Sequence, residues 1–367
     1  MAKGDDDHIS KLPDDVLVRI LSVFRYDVTV RTAAVSRRWE DVVHTQLPKL
    51  RFCLLRRGLG TSRGGTPSEQ RLQGMERSLR RRCGEGNHYS VKSLVLFYRK
   101  DVPMECRYAD EFIALANAHK LILHVKCGRE LPDDDAGAWC LELPPATTEL
   151  QVLPYWYAVR PPQLRGSGVS TLRSLTLKGP TVLCQDFLLA ELPSLEHLHI
   201  GECTIAASIN ITSENMPRLR HLVIKDVCVM TKDTRAEINV LADELRTLRV
   251  SCETWSSTNP MTTDEDKLEA FCLRVRFQAS FTTYSSFRLR APRLRVFNWS
   301  CTYADEVCIE SVGHLSDVVI KLAAGLKPRQ YNEEVSYVTV DQRDKLMTDI
   351  LTFRGLCLDC GRSTGTT

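Results

Sequence analysis

The chain has 367 residues, 43% of them apolar and 26% charged, the balance of a folded globular protein with room for one large domain or two to three smaller ones. Its 49 basic and 46 acidic residues leave a formal net charge of +3, so no global field selects nucleic acid or an anionic membrane as the main partner. The acidic start Met1-Ala2-Lys3-Gly4-Asp5-Asp6-Asp7 does not read as a secretory signal, and charges break every run before the roughly 18 apolar residues of a membrane helix. The 14 cysteines then read as buried thiols of a soluble protein in a reducing compartment, cytoplasm or nucleus.

The first expected element is a helix. Ser10 is a capping-type residue, Pro13 suits a first helical turn, and Asp14 and Asp15 carry charge favourable to the dipole there. Val16, Leu17, Ile20, Leu21 and Phe24 recur at spacings of three and four, which puts them on one face that must be covered. A second periodic stretch keeps Val30, Ala33, Ala34, Val35, Trp39, Val42 and Val43 apolar, leaves Arg31, Arg37, Arg38, Glu40 and Asp41 for water, and stops at Pro48. Two or three short helices in about 45 residues bury too little surface for much independent stability, so some apolar area is expected to be shared with a partner or a neighbouring domain.

The ordered run Asp7-x-Ile9-Ser10-x-Leu12-Pro13-Asp14-Asp15-x-Leu17-x-x-Ile20-Leu21-Ser22, followed by Val30-Arg31-Thr32-Ala33-x-Val35-Ser36-Arg37-Arg38-Trp39, resembles the F-box of the large plant family that also carries leucine-rich repeats. The resemblance covers residues 7–52. It implies docking on a Skp-type adaptor, and through it attachment to a cullin and a RING subunit. It also implies that Leu12 and Pro13 open the first helix at the adaptor, while Leu17, Ile20, Val30, Val35 and Trp39 supply apolar contacts to it or hold the helices together. Two departures bear on docking: Phe24-Arg25 stands where the family usually has Leu-Pro, and Val43 where a second tryptophan is common.

Residues 53–89 read as a flexible basic connector, because Gly58, Gly60, Gly64, Gly65 and Pro67 interrupt the pattern. Its second half, Glu69 to Cys83, regains helical character and carries Arg71, Arg77, Arg80, Arg81 and Arg82. That cluster admits three readings: a solvated helix face, which is the plainest, a nuclear-import signal, or a phosphate site.

From residue 90 to 355 the expectation is an irregular leucine-rich-repeat solenoid, giving an α/β protein with a helical N-terminus and a curved parallel sheet. The template Leu-x-x-Leu-x-Leu is met at Leu172/Leu175/Leu177, Leu195/Leu198/Ile200, Leu219/Leu222/Ile224 and Leu245/Leu248/Val250. It continues at Leu268/Phe271/Leu273, Leu294/Phe297/Trp299 and Leu315/Val318/Ile320, with weaker versions upstream at Val91/Leu94/Leu96, Leu121/Leu123 and Leu150/Val152. Pro193, Pro217 and Pro292 each stand two residues before a repeat leucine, where they cost no ladder hydrogen bond. In each strand the paired aliphatic residues point inward and the residue between them points out, which nominates Thr176, His199, Val223, Arg249, Cys272, Asn298 and Val319 as candidates for a face that holds a substrate protein.

Sites for chemistry are sparse. Cys357-Leu358-Asp359-Cys360 lacks the second ligand pair that zinc would want, and His197, His199 and Cys203 read as ordinary repeat residues. Asp133-Asp134-Asp135 lacks the glycine turn and closing glutamate of a calcium loop. No phosphate loop, His-Glu-x-x-His pair or nucleophile elbow occurs, so neither metal, cofactor nor catalytic residue is expected. Residues 356–367 read as a disordered tail after a shortened array capped by Val335 to Phe353. The expected function is substrate recognition within a Skp-cullin-F-box ubiquitin ligase; the alternative is a leucine-rich-repeat scaffold or ligand sensor without cullin recruitment.

Overall fold

The computed structural model describes residues 12–32, 36–55, 69–83, 91–127, 139–155, 159–183, 191–205, 209–229, 238–255, 261–264, 266–275, 284–301, 304–312 and 315–322. Val35, Asp133-Asp134-Asp135, Val335 to Phe353 and the Cys357–Cys360 pair lie outside the described residues. The chain divides into two compact units, Met1–Thr181 and Val182–Thr367. Its fold class is the expected one: helices first, then turns of a parallel-strand solenoid.

The first unit opens with α1 (Asp14–Val23), α2 (Tyr26–Thr32) and α3 (Arg37–Asp41), the last continuing into a π-turn at Val42–Gln46. α1 starts where proline and the acids place it: the Pro13 carbonyl accepts from the Val16 and Leu17 amides, both at 3.1 Å, and Asp14 and Asp15 fill the first turn. Ser36 caps α3, its hydroxyl accepting from the Trp39 amide at 3.3 Å. Then come β1 (Lys49–Cys53), α4 (Glu69–Cys83), β2 (Ser93–Arg99), α5 (Pro103–Ala116), β3 (Lys120–Lys126), β4 (Cys140–Glu142), β5 (Glu149–Tyr155), β6 (Gln163–Arg165) and β7 (Ser174–Lys178). A parallel sheet runs β1-β2-β3-β5-β7, and β4 pairs with β6 apart from it.

Phe52, Leu96, Leu123, Val152 and Leu177 are successive register partners across that sheet, so the third position of the leucine template is a single buried ladder. The ladder begins at β1, upstream of residue 90. Leu47, Leu50 and Phe52 satisfy the same spacing as the later repeats and are all buried. In the repeat that ends on Val152 the first template position is Thr147; it too is buried, and its hydroxyl donates to the Ala118 carbonyl at 3.0 Å.

Two helices cover the inner side of the unit. α4 buries Leu72, Met75, Leu79 and Arg82, one face at spacings of three and four. α5 was not foreseen from the sequence, although Pro103 in its first turn and the spacing of Tyr108, Ala109, Phe112, Ile113 and Ala116 announce it. It ends at Asn117, which takes the left-handed conformation at φ 41°. Tyr26 of α2, Phe52 of β1 and Phe112 of α5 form a chain of rings with centroids 5.1 and 4.7 Å apart, so the N-terminal helices and the first strands share one core.

The second unit contains β8 (Val182–Leu183), β9 (His197–Gly201), β10 (Thr204–Ile205), β11 (Ile209–Thr212), β12 (His221–Val229), β13 (Ile238–Leu241) and β14 (Thr247–Trp255). It continues with β15 (Met261–Asp264), β16 (Ala270–Val275), β17 (Tyr284–Ala291), β18 (Val296–Cys301), β19 (Ala304–Val312) and β20 (Asp317–Leu322). One parallel sheet runs β9-β12-β14-β16-β18-β20, with Ile200, Ile224, Val250, Leu273, Trp299 and Ile320 in register, so each leucine-template step is one strand.

A second parallel sheet, β11-β13-β15-β17-β19, fills the intervals between the templates and has no leucine signature of its own. The corner into four of the template strands is a β-turn whose fourth residue is the repeat leucine. Leu195, Leu219, Leu245 and Leu294 donate to Leu192, Met216, Ala242 and Ala291 at 3.1, 3.1, 2.8 and 3.0 Å. Proline at the second position of three of these turns supplies the φ the turn requires, at Pro193, Pro217 and Pro292. Among the described residues no helix is long and apolar enough to cross a membrane.

Candidate functional site

The helical surface is built by α1. Leu17 and Leu21 turn inward and are buried, whereas Ile20, Val23 and Phe24 are 41%, 68% and 49% exposed. These are three of the four large exposed hydrophobic side chains among the described residues. The spacing of 20, 23 and 24 gathers them on one side of the helix, so the face expected to be covered is split between a covered half and an open half. Leu12, Val30 and Trp39 are half-buried and Pro13 is exposed.

Three arginines hold this surface in place. Arg38 of α3 donates through Nη2 to the Asp14 carboxylate at 2.6 Å and to the Leu12 carbonyl, tying the start of α1 to α3. Arg51 of β1 donates to the Val23 carbonyl at 3.2 Å, where α1 ends and its carbonyls have no helical partner. Arg82 of α4 is buried and donates to the Val43 carbonyl at 2.7 Å and to the Leu47 carbonyl. Burial pushes its guanidinium below its ordinary value, and burial likewise raises the neighbouring Tyr26 phenol.

The basic cluster of residues 71–82 is therefore divided. Arg77, Arg80 and Arg81 form a solvated face, with Arg80 bonded to Glu76 at 2.7 Å and Arg81 to Glu40 at 3.0 Å, but Arg82 points into the core. Arg71 donates to the Cys53 carbonyl at 2.8 Å and forms an ion pair with the Asp27 carboxylate at 3.6 Å. Asp27 lines a cleft of about 260 Å³ between α2 and α4, with Val30, Gly74 and Met75 on its walls.

The sheet surface consists of the residues that alternate away from the core. In the second unit His199, Val223, Arg249, Cys272, Asn298 and Val319 are consecutive register partners and form one row; Arg249 is exposed and the others half-buried. In the first unit Thr176 closes a row of Arg51, Val95, Ile122 and Gln151. The rows beside these were missed from the sequence, although the same alternation marks them. Phe97 and His124 stack with centroids 4.1 Å apart and planes at 1°, and His197 and His221 stack at 4.6 Å. The His221 ring also pairs with the Thr247 hydroxyl at 2.8 Å. Burial lowers His124 and His221 below the ordinary histidine value, helped by Arg51 beside the first and His197 beside the second.

Among the described residues no three His, Cys, Asp or Glu side chains are grouped as a metal would require, and the Cys203 thiol donates to the Gly201 carbonyl at 2.9 Å.

No family model matches the chain, and no solved structure matches it. Over 50 residues the chain is 50% identical to a protein of Arabidopsis thaliana named "Putative F-box protein At1g67390"; the stretch is 14% of this chain and 10% of that protein. The chain is thus similar, over a stretch of F-box size, to an F-box protein.

Proposed function

We propose that this chain is the non-catalytic, substrate-recognition subunit of a ubiquitin ligase of the Skp-cullin-F-box type, working in the cytoplasm or nucleus. The helices within residues 7–52 dock on a Skp-type adaptor, which attaches the chain to a cullin and a RING subunit. The outward rows of the leucine-rich repeats, with Thr176, His199, Val223, Arg249 and Asn298 among them, hold a target protein. Transfer chemistry then belongs to the partners, and this chain supplies proximity and orientation.

The observation that carries the reading is the open half of α1. A helix that buries Leu17 and Leu21 yet leaves Ile20, Val23 and Phe24 in water presents a contiguous apolar face, which is the mark of a protein-binding surface. The similarity to an F-box protein supports the same reading. On this view Ile20, Leu12, Pro13 and Val30 contribute contacts, while Leu17 acts from inside by fixing the helix. Val35 and Trp39 take their assignment from the family resemblance.

The test is co-purification with a Skp-type adaptor and cullin, comparing the wild type with an Ile20→Asp/Phe24→Asp variant. Recovery that the double change abolishes, in a protein whose circular dichroism is unaltered, is the expected result. No recovery from folded wild-type protein would sink the ligase reading and leave a repeat scaffold or ligand sensor.

A further inference from the structure

We propose that the outward face of the sheet in Met1–Thr181 is a docking site for an acidic peptide segment that carries one large apolar side chain. The proposal rests on the target-holding role above and names the kind of target.

Its floor is the centre of the face. Phe97 of β2, Ile122 and His124 of β3 and Leu153 of β5 occupy outward positions on three adjacent, register-matched strands, while Val95 of β2, the register partner of Ile122, is buried. Outward positions of a repeat sheet need only tolerate water, so the core has no need of this apolar group. Phe97, Ile122 and Leu153 are each half-buried, neither part of the core nor fully open. The Phe97 and His124 rings lie flat against each other with centroids 4.1 Å apart, which fixes both and leaves a firm surface for an incoming side chain.

The rim is cationic. Outward positions of the same five strands carry Lys49, Arg51, Arg99, Lys120, Lys126 and Lys178, against the single acid Glu149. Glu149 is engaged by Lys120 at 2.6 Å, and Arg99 is matched by the buried Glu105 at 2.6 Å. The excess of positive charge is local, since the chain as a whole carries only +3. An apolar floor inside such a rim is complementary to an aliphatic or aromatic residue flanked by Asp or Glu: the anchor gains by leaving water, and the carboxylates steer and orient the segment. A nucleic acid fits less well. Phe97 and His124 cover each other's faces, and their register neighbours on either side are Cys53 and Leu153, which leaves Tyr155 at the end of β5 as a single ring for a base where single-strand binding uses several.

The experiment is selection of a phage-displayed library of random dodecapeptides on the immobilised full chain. It is run in parallel on an Ile122→Ser/Leu153→Ser variant and on a Lys49→Glu/Lys126→Glu variant, each checked for an unchanged thermal midpoint. The expected result is enrichment, on the wild type, of peptides with an apolar residue among acids, with affinity lowered about tenfold or more by either variant. The charge variant alone keeps the question open to an answer if the apolar variant fails to fold. Absence of enrichment, enriched peptides without acids, or equal binding to the variants overturns the proposal. So does a random-sequence RNA that binds the wild type and is lost with the same variants. The adaptor co-purification reads a different surface, so its failure and the failure of this selection are distinguishable.

Discussion

Arg82, in the last turn of α4, donates through Nη1 to the carbonyl of Val43 across 2.7 Å, with its Nη2 on the carbonyl of Leu47. The two carbonyls belong to the end of the α3 segment, where helical geometry leaves oxygens without partners and concentrates negative partial charge. A cation sent into the core is thereby matched by two backbone acceptors, with no carboxylate needed to hold it. Arg82→Met should remove both bonds and leave the carbonyls buried and unsatisfied, at a cost of about 2–4 kcal/mol. Arg82→Lys should recover only part of this, because one ammonium does not reproduce the planar fork. Urea unfolding of the two variants checks both statements; equal stability to the wild type would show that α4 is not clamped there.

The two halves of α1 should separate cleanly by mutation. Leu17→Ala empties a fully buried site and is expected to cost about 2–5 kcal/mol. Ile20→Asp and Phe24→Asp alter side chains about half in water near the end of α1, and each should cost about 1 kcal/mol, well below the Leu17 change. Thermal melts of the three variants provide the comparison. A large loss from Ile20→Asp would mean that Ile20 is covered from within the chain.

Two glycines call for opposite outcomes. A Cβ at Gly179, whose φ is +127°, would lie 2.3 Å from the Pro154 carbonyl oxygen of the adjacent strand's end, so Gly179→Ala combines backbone strain with a clash. It should cost about 2 kcal/mol or more. At Gly74, in the middle of α4, a Cβ meets nothing within 4 Å, and Gly74→Ala should stabilise by about 0.5–1 kcal/mol through helix propensity. Denaturation midpoints of the two alanine variants should move in opposite directions.

Acid should weaken the fold before the carboxylates titrate. His44, His124 and His221 all lie below the ordinary value of 6.5, chiefly because burial disfavours the charged ring. The unfolded chain then binds protons more tightly than the folded one below that value. Stability from these rings is therefore complete above pH 6.5 and declines as pH falls beneath it. On the alkaline side Cys106, pushed up from 9.0 to about 11 by burial and by the neighbouring Asp110, contributes stability that is lost as pH rises through that interval. Unfolding curves at about pH 7.5 and 5.5 should show the acid effect, and His221→Gln should reduce it. A flat profile would contradict the burial described for the rings.

The repeat ladder was legible because one residue type at one spacing encodes both the turn and the two inward side chains; the steps from Ile200 to Ile320 map strand for strand onto the register. β1 carries the same code at Leu47, Leu50 and Phe52, but these residues also complete the helical motif that precedes them, and one pattern masked the other. The second sheet was illegible for a different reason. Its first three strands, Ile209–Thr212, Ile238–Leu241 and Met261–Asp264, are too brief for alternation to stand out, and the longer Tyr284–Ala291 and Ala304–Val312 carry no leucine template. In α1 the periodicity located the apolar face but not its division. Whether Leu17 or Ile20 turns inward depends on where the Val42–Gln46 turn packs against α1, a contact between stretches more than 20 residues apart that no local periodicity encodes. Nor does an arginine among arginines announce burial; the carbonyls that accept Arg82 exist only once α3 has ended.

Pro48 stands between the N-terminal helices and the first strand, yet Leu47 on one side and Leu50 on the other are both in the core, and the Pro48 carbonyl accepts from the Ser93 amide at 3.0 Å. With Tyr26, Phe52 and Phe112 in ring-to-ring contact across the same point, no swivel is available there. The open flank of α1 and the first strand of the sheet therefore keep a fixed bearing to one another. Whatever lies on that sheet is aimed by how the helices are seated, and a fragment cut at residue 52 would lose the partners that give Phe52 its place.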